Sequence, residues 1–166
     1  MALSKQDWML TWASLVHAST RLQAGLEREL REALGFGLSE QDLIKQLNAN
    51  GGRLTLTELS ERIFLSKAGL TRMLDRLQDA GLVVRAPVDG DRRSMSAALT
   101  AAGETAFARS RTILEAYVRK EVRDRLAENE LLALKTGLEA LLRGHGVWEG
   151  QMEHLKGGPA HRKKPA

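Results

Sequence analysis

Apolar residues along the first third of the chain recur at steps of three and four. Trp8, Trp12, Leu15, Ser19, Leu22, Leu26 and Leu30 share one face of a helix, and the spacing predicts that helix over Lys5–Leu34. Gly35-Phe36-Gly37 stops it. A helix of about 30 residues is long for a small globule, so its stripe must pack against something beyond its own domain. Ser39, followed by Glu40 and Asp42, reads as the cap of a second helix that ends near Ala49 at Asn50-Gly51-Gly52. Leu54 and Leu56 suggest a brief extended link. Thr57 then caps a short helix, Glu58 to Phe64, and Ser66 caps another, Lys67 to Ala80, whose inner face is Leu70, Met73, Leu74 and Leu77. Gly81 follows as its terminating glycine. The period then changes. Leu82 to Ala86 reads as a strand, Pro87 to Asp91 as a turn, and Met95 to Leu99 as a weaker strand. Thr100 caps a long helix to about Arg125, and Glu128 to Arg143 closes the pattern with Leu131, Leu134, Leu138 and Leu141 in register.

This order predicts a mainly α fold with a small β-hairpin wing: a winged helix-turn-helix over residues 37–100, flanked by long helices. Residues 1–36 and 101–143 would form a helical dimerisation region, and 144–166 a basic, disordered tail. Proline occurs only at Pro87, Pro159 and Pro165, which leaves the early helices uninterrupted. The longest uncharged run, Trp8 to Thr20, has 13 residues. A membrane span needs about 20, so no membrane partner is expected. The helix continues well past any cleavage point, against a secretory signal and in favour of the cytoplasm, with nucleoid association when bound to DNA.

Composition narrows the chemistry. There is no cysteine among the 166 residues, which excludes disulfides, thiolate metal sites and cysteine nucleophiles. The formal charge of +4 is compatible with nucleic acid but does not demand it. Phosphate loops, nucleophile elbows, HExxH and Rossmann glycine patterns are absent, and no enzymatic activity, cofactor or metal is expected. Three of four histidines, His145, His154 and His161, stand in the tail and too far apart for a metal site of known spacing.

A helix fits the major groove of B-DNA and a hairpin tip can reach the adjacent minor groove. The Lys67 helix follows a tight Phe64-Leu65-Ser66 turn and is the presented one. Ser66, Lys67, Thr71 and Arg72 lie on its leading side. Arg76 sits a turn beyond, within reach of phosphate or of Asp79. From Ser66 to Arg93 six cations face four acids, so placement rather than bulk charge carries the reading. Each feature has a plainer reading beside it. Arg72 and Arg76 alone would be a solvated helix face, and Asp91-Arg92 a turn signal.

The segment Asp91-Arg92-Arg93-Ser94-Met95-Ser96-Ala97-Ala98-Leu99-Thr100-Ala101-Ala102-Gly103 resembles the wing signature of the MarR family of bacterial transcription regulators. So does the recognition segment Leu65–Leu77, with Ala80-Gly81-Leu82-Val83 after it. The likeness runs from about Leu22 to Leu142. It implies that Ser66, Lys67, Thr71 and Arg72 read the major groove, that Arg93 enters the minor groove held by Asp91, and that Arg92 touches phosphate. It also implies a two-fold homodimer of intertwined terminal helices, its recognition helices about 34 Å apart on double-stranded DNA with a pseudo-palindromic operator. Release by a small anionic aromatic effector between the dimer helices and the winged helix is implied as well. Trp12 and His17 are the candidate ligand residues, although packing is the plainer role for Trp12 and an exposed position for His17. The lack of cysteine excludes the family's peroxide-sensing mode. A winged-helix protein-interaction module without sequence-specific DNA binding is the alternative.

Overall fold

The fold was derived from a computed structural model, which describes residues 3–63, 65–88 and 91–144, the side chains of 91–93 excepted. Met1, Ala2, Phe64, Asp89, Gly90 and residues 145–166, on which part of the expected turn and the expected tail fall, lie outside the described residues. The chain divides into two compact units, Met1–Tyr117 and Val118–Ala166.

Helix α1 spans Lys5–Leu34, as its period predicts. The Ser4 hydroxyl accepts from the Asp7 amide and the Asp7 carboxylate accepts from the Ser4 amide, closing the first turn. Gly35, at φ 75°, takes the left-handed conformation that ends the helix. Only the second half of the stripe is covered. Leu26 and Leu30 are buried against Tyr117, with Leu22, Ile113 and Leu114 around them, whereas Trp8 and Trp12 stay 52% and 62% exposed. Among the described residues nothing covers most of Trp12, for which packing is the plainer expectation.

Helix α2, Leu38–Ala49, begins at Gly37 and not at Ser39. The reason is electrostatic. Carboxylates satisfy its first amides: Glu40 accepts from Gly37 (3.2 Å) and Glu27 of α1 accepts from Leu38 (2.6 Å), so no hydroxyl cap is needed. Helix α3, Leu56–Arg62, is likewise capped two residues earlier than expected, by Thr55 boxed with Glu58. Helix α4 spans Lys67–Asp79 with Ser66 as its cap, the hydroxyl accepting from the Gly69 amide at 3.1 Å.

The sheet has three strands, where the sequence predicts a two-stranded hairpin. Strand β1, Arg53–Thr55, pairs antiparallel with β3, Asp91–Leu99, which also pairs with β2, Val83–Val88, giving the order β1-β3-β2. Three residues are too few to show a period, hence the expectation of a mere link. The wing strands also run closer to the turn than expected. Pro87 continues β2 because β2 is an edge strand, where a missing N–H costs no ladder bond. Leu43, Ile44, Leu47, Leu59, Leu70, Leu74, Leu77 and Val83 fill one core between α2, α3, α4 and the sheet.

Helix α5, Ala101–Val118, starts one residue after β3. The Thr100 hydroxyl accepts from the Gly103 amide (3.0 Å) and donates to the Gly81 carbonyl (2.7 Å). A Cβ on Gly103 would overlap the Leu82 carbonyl oxygen. The expected continuation of this helix to Arg125 is interrupted. Arg119–Arg123 form a π-helical turn, with the Asp124 amide donating to the Arg119 carbonyl five residues back. Helix α6, Glu128–Leu142, buries no residue within its unit, and Leu132 and Leu141 are exposed. Among the described residues no helix is long and apolar enough to cross a membrane.

Candidate nucleic-acid interface

The apolar side of α4 is fully committed to the core, which turns the opposite side outward. Ser66, Lys67, Thr71 and Arg72 are all exposed. Lys67 enters no ion pair among the described residues. Arg72 is held lightly, its Nε donating to the Ala68 carbonyl at 3.3 Å, and Thr71 donates its hydroxyl proton to the Lys67 carbonyl (2.9 Å), leaving oxygen lone pairs free. The first two turns of α4 therefore carry two available cations, a capping serine and an acceptor on one protruding surface. This combination suits phosphates and base edges.

Arg76 behaves differently. Its Nη2 lies 2.5 Å from Glu40 Oε1 on α2, so its partner is Glu40 and not the Asp79 considered from sequence. Asp75 pairs with Arg85 of β2 at 2.6 Å, and Arg85 Nε also donates to Gln78 Oε1 at 2.8 Å. Sequence reasoning missed Glu40, Asp75, Gln78 and Arg85. No short-range pattern joins Glu40 to Arg76; only the packing of α2 on α4 brings them together. Asp91, Arg92 and Arg93 occupy the first three positions of β3, with Asp91 opposite Val88. Their side chains lie outside the description.

Glu40 is only 4% exposed. Burial pushes its carboxyl up, but hydrogen bonds from Arg76 and from the backbone amides of the α2 start outweigh this and hold it below the ordinary value of 4.5. Glu58 is lowered too, by the Thr55 amide and hydroxyl. A lowered folded value means that the stability these groups add is complete above 4.5 and is lost as pH falls through their folded values. Urea midpoints are therefore expected to drop on acidification below that point. The Glu40→Gln protein should show a flatter drop; an equally steep one would remove Glu40 from the account.

A shallow cavity of about 490 Å³ opens where the end of α1 meets the start of α5. Ala33, Leu34, Phe36, Leu82 and Ala106 line it, and Arg109 supplies a cation whose Nη2 also donates to the Ala33 carbonyl at 3.3 Å. Trp12 and His17 are exposed on α1 and do not line this cavity.

A sequence model of the MarR family matches residues 34–94, from the end of α1 into the wing. The HTH-type transcriptional regulator PecS of Dickeya dadantii (strain 3937) is 35% identical over 139 residues, 81% of this chain and 78% of the relative. Among solved structures, the MarR family transcriptional regulator AbsC of Streptomyces coelicolor aligns over 95% of this chain and 99% of its own, at 25% identity and a TM-score of 0.71. A second MarR family regulator from Streptomyces coelicolor, solved in complex with DNA, aligns over 87% of this chain and 91% of its own, with 25% identity and a TM-score of 0.69.

Proposed function

The chain belongs to the MarR family of transcriptional regulators, and from that premise we propose that it is a homodimeric repressor of a pseudo-palindromic operator, released by a small anionic aromatic effector. The observation that carries the DNA reading is the free, cation-bearing outer face of α4, whose inner face is locked in the core. Ser66, Lys67, Thr71 and Arg72 read the major groove. Asp91, Arg92 and Arg93 serve the wing, with Arg93 in the minor groove. Residues 1–36 and 101–143 form the dimer; the bare tryptophans of α1 and the bare leucines of α6 support this, since apolar patches of that kind are kept by proteins that pair. The cavity beside Arg109 suits the effector: apolar walls for a ring and a guanidinium for an anion. Trp12 and His17 would join it only through the partner subunit.

The test is binding to duplexes enriched from a random-sequence pool. Arg72→Ala and Arg93→Ala should each cost about 1–3 kcal/mol and relax base preference at one position per half-site. Lys67→Ala should weaken all duplexes and flatten the salt dependence. If affinity and salt slope stay unchanged in all three, the chain is a protein-interaction module instead.

A further inference from the structure

We infer that Glu40 is a positioning residue for DNA reading, and that Arg76 is its strut and makes no phosphate contact. The inference rests on the assignment of α4 as the reading helix.

The α1–α2 joint is built from acids. Glu40 Oε2 accepts from the Gly37 amide, and Glu27 Oε2 accepts from the next amide, Leu38. Glu27 Oε1 is held in turn by Arg31 Nε at 2.5 Å. The Glu27 carboxylate lies where a Cβ on Gly37 would fall, so a side chain there would displace it from the Leu38 amide. Two carboxylates from two helices thus grip successive amides at one corner. The free oxygen of one of them, Glu40 Oε1, reaches across to Arg76 on α4. Where this corner goes, Arg76 goes.

What that contact adds is direction. The inner face of α4 is leucine and methionine, and apolar contact fixes distance well but roll and slide poorly. A charge-assisted hydrogen bond is directional and fixes both. The Glu40 carboxylate is buried while the Arg76 side chain is 61% exposed, so the pair is shielded on the acid's side only, and what sets it apart from a surface pair is that the acid is already fixed by the Gly37 amide. The opposite flank of α4 has its own brace, Arg85 on Asp75 and Gln78. Both braces grip the last two turns. The first turns, with Lys67, Thr71 and Arg72, carry none. The helix is anchored at one end and presents the other.

The experiment uses the full-length protein, a duplex enriched from a random-sequence pool by the wild type, and a scrambled duplex of equal composition. Active fractions are set by stoichiometric titration, so partial unfolding does not count as weak binding. Glu40→Gln and Arg76→Gln are each expected to lower the specific-to-scrambled affinity ratio by about tenfold or more. Scrambled affinity should hold within about twofold and the salt slope should be unchanged, because no phosphate contact is lost. The double variant should be no worse than the poorer single, since both remove one brace. Arg76→Lys, which keeps the charge at the same position, should recover part of the ratio. The inference is overturned if Arg76→Gln weakens both duplexes alike and flattens the slope by close to one per subunit, or if the two substitutions add. If the wild type enriches no sequence, the DNA reading itself falls, and this inference with it; enrichment followed by either of the other results overturns this inference alone.

Discussion

Trp8→Glu combined with Trp12→Glu is expected to turn the proposed dimer into a monomer and to cut affinity for the proposed operator by about 10²–10⁴-fold. Both side chains are more than half exposed in the single chain, so a charge there disturbs nothing that the winged helix needs to fold. Each tryptophan covered by a partner would remove about 150–250 Å² from water, and buried unpaired carboxylates in the same place would oppose association. A monomer reaches one half-site, and its salt slope should fall to about half that of the dimer. Sedimentation and DNA titration on the same samples read both effects. A variant that still sediments as a dimer, or that keeps affinity within about tenfold, would show that the stripe is not the interface.

The second large effect is on folding. Gly103→Ala places a methyl against the Leu82 carbonyl oxygen, and Leu99 Cδ2 stands 3.2 Å from the same point. The obstacle is backbone and cannot swing aside. The Thr100 hydroxyl ties the same corner to Gly81, so α5 cannot retreat without breaking that bond. A loss of about 3 kcal/mol or more in unfolding free energy is expected in urea titrations. Gly137→Ala is the control. Nothing lies within 4 Å of its Cβ position, and alanine in that exposed helix should gain up to about 1 kcal/mol. Similar values for the two would refute the steric account. The glycine that ends the wing signature is thus explained by the approach of one carbonyl.

The sequence made some parts of this molecule legible and hid others for physical reasons. The bounds of α1 follow from one apolar period and the terminal glycine Gly35; the Ser4 box that closes its first turn is equally local. The same holds for α4, where Ser66 and four apolar positions are enough. The starts of α2 and α3 differ from expectation because several residues in each stretch could cap: at α2 the choice falls to a tertiary partner, Glu27, and at α3 to the local box of Thr55 with Glu58. Strand β1 exists only because β3 lies beside it. The outward placement of Ser66, Lys67, Thr71 and Arg72 follows from the helix period, whereas the reading role proposed for them comes from the family resemblance. The brace from Glu40 to Arg76 could not, because it joins residues far apart in sequence.

The stripe of α1 and the outer face of α4 lie on separate parts of the chain, and that separation has a genetic consequence. On the proposed function, a chain damaged only in its reading face, such as Arg72→Ala, is expected to pair normally. Expressed beside the wild type, it draws intact subunits into mixed dimers that hold one half-site well and the other poorly. Such an allele is expected to act in a dominant-negative manner, and one damaged in the stripe as well to recruit no partner and be recessive.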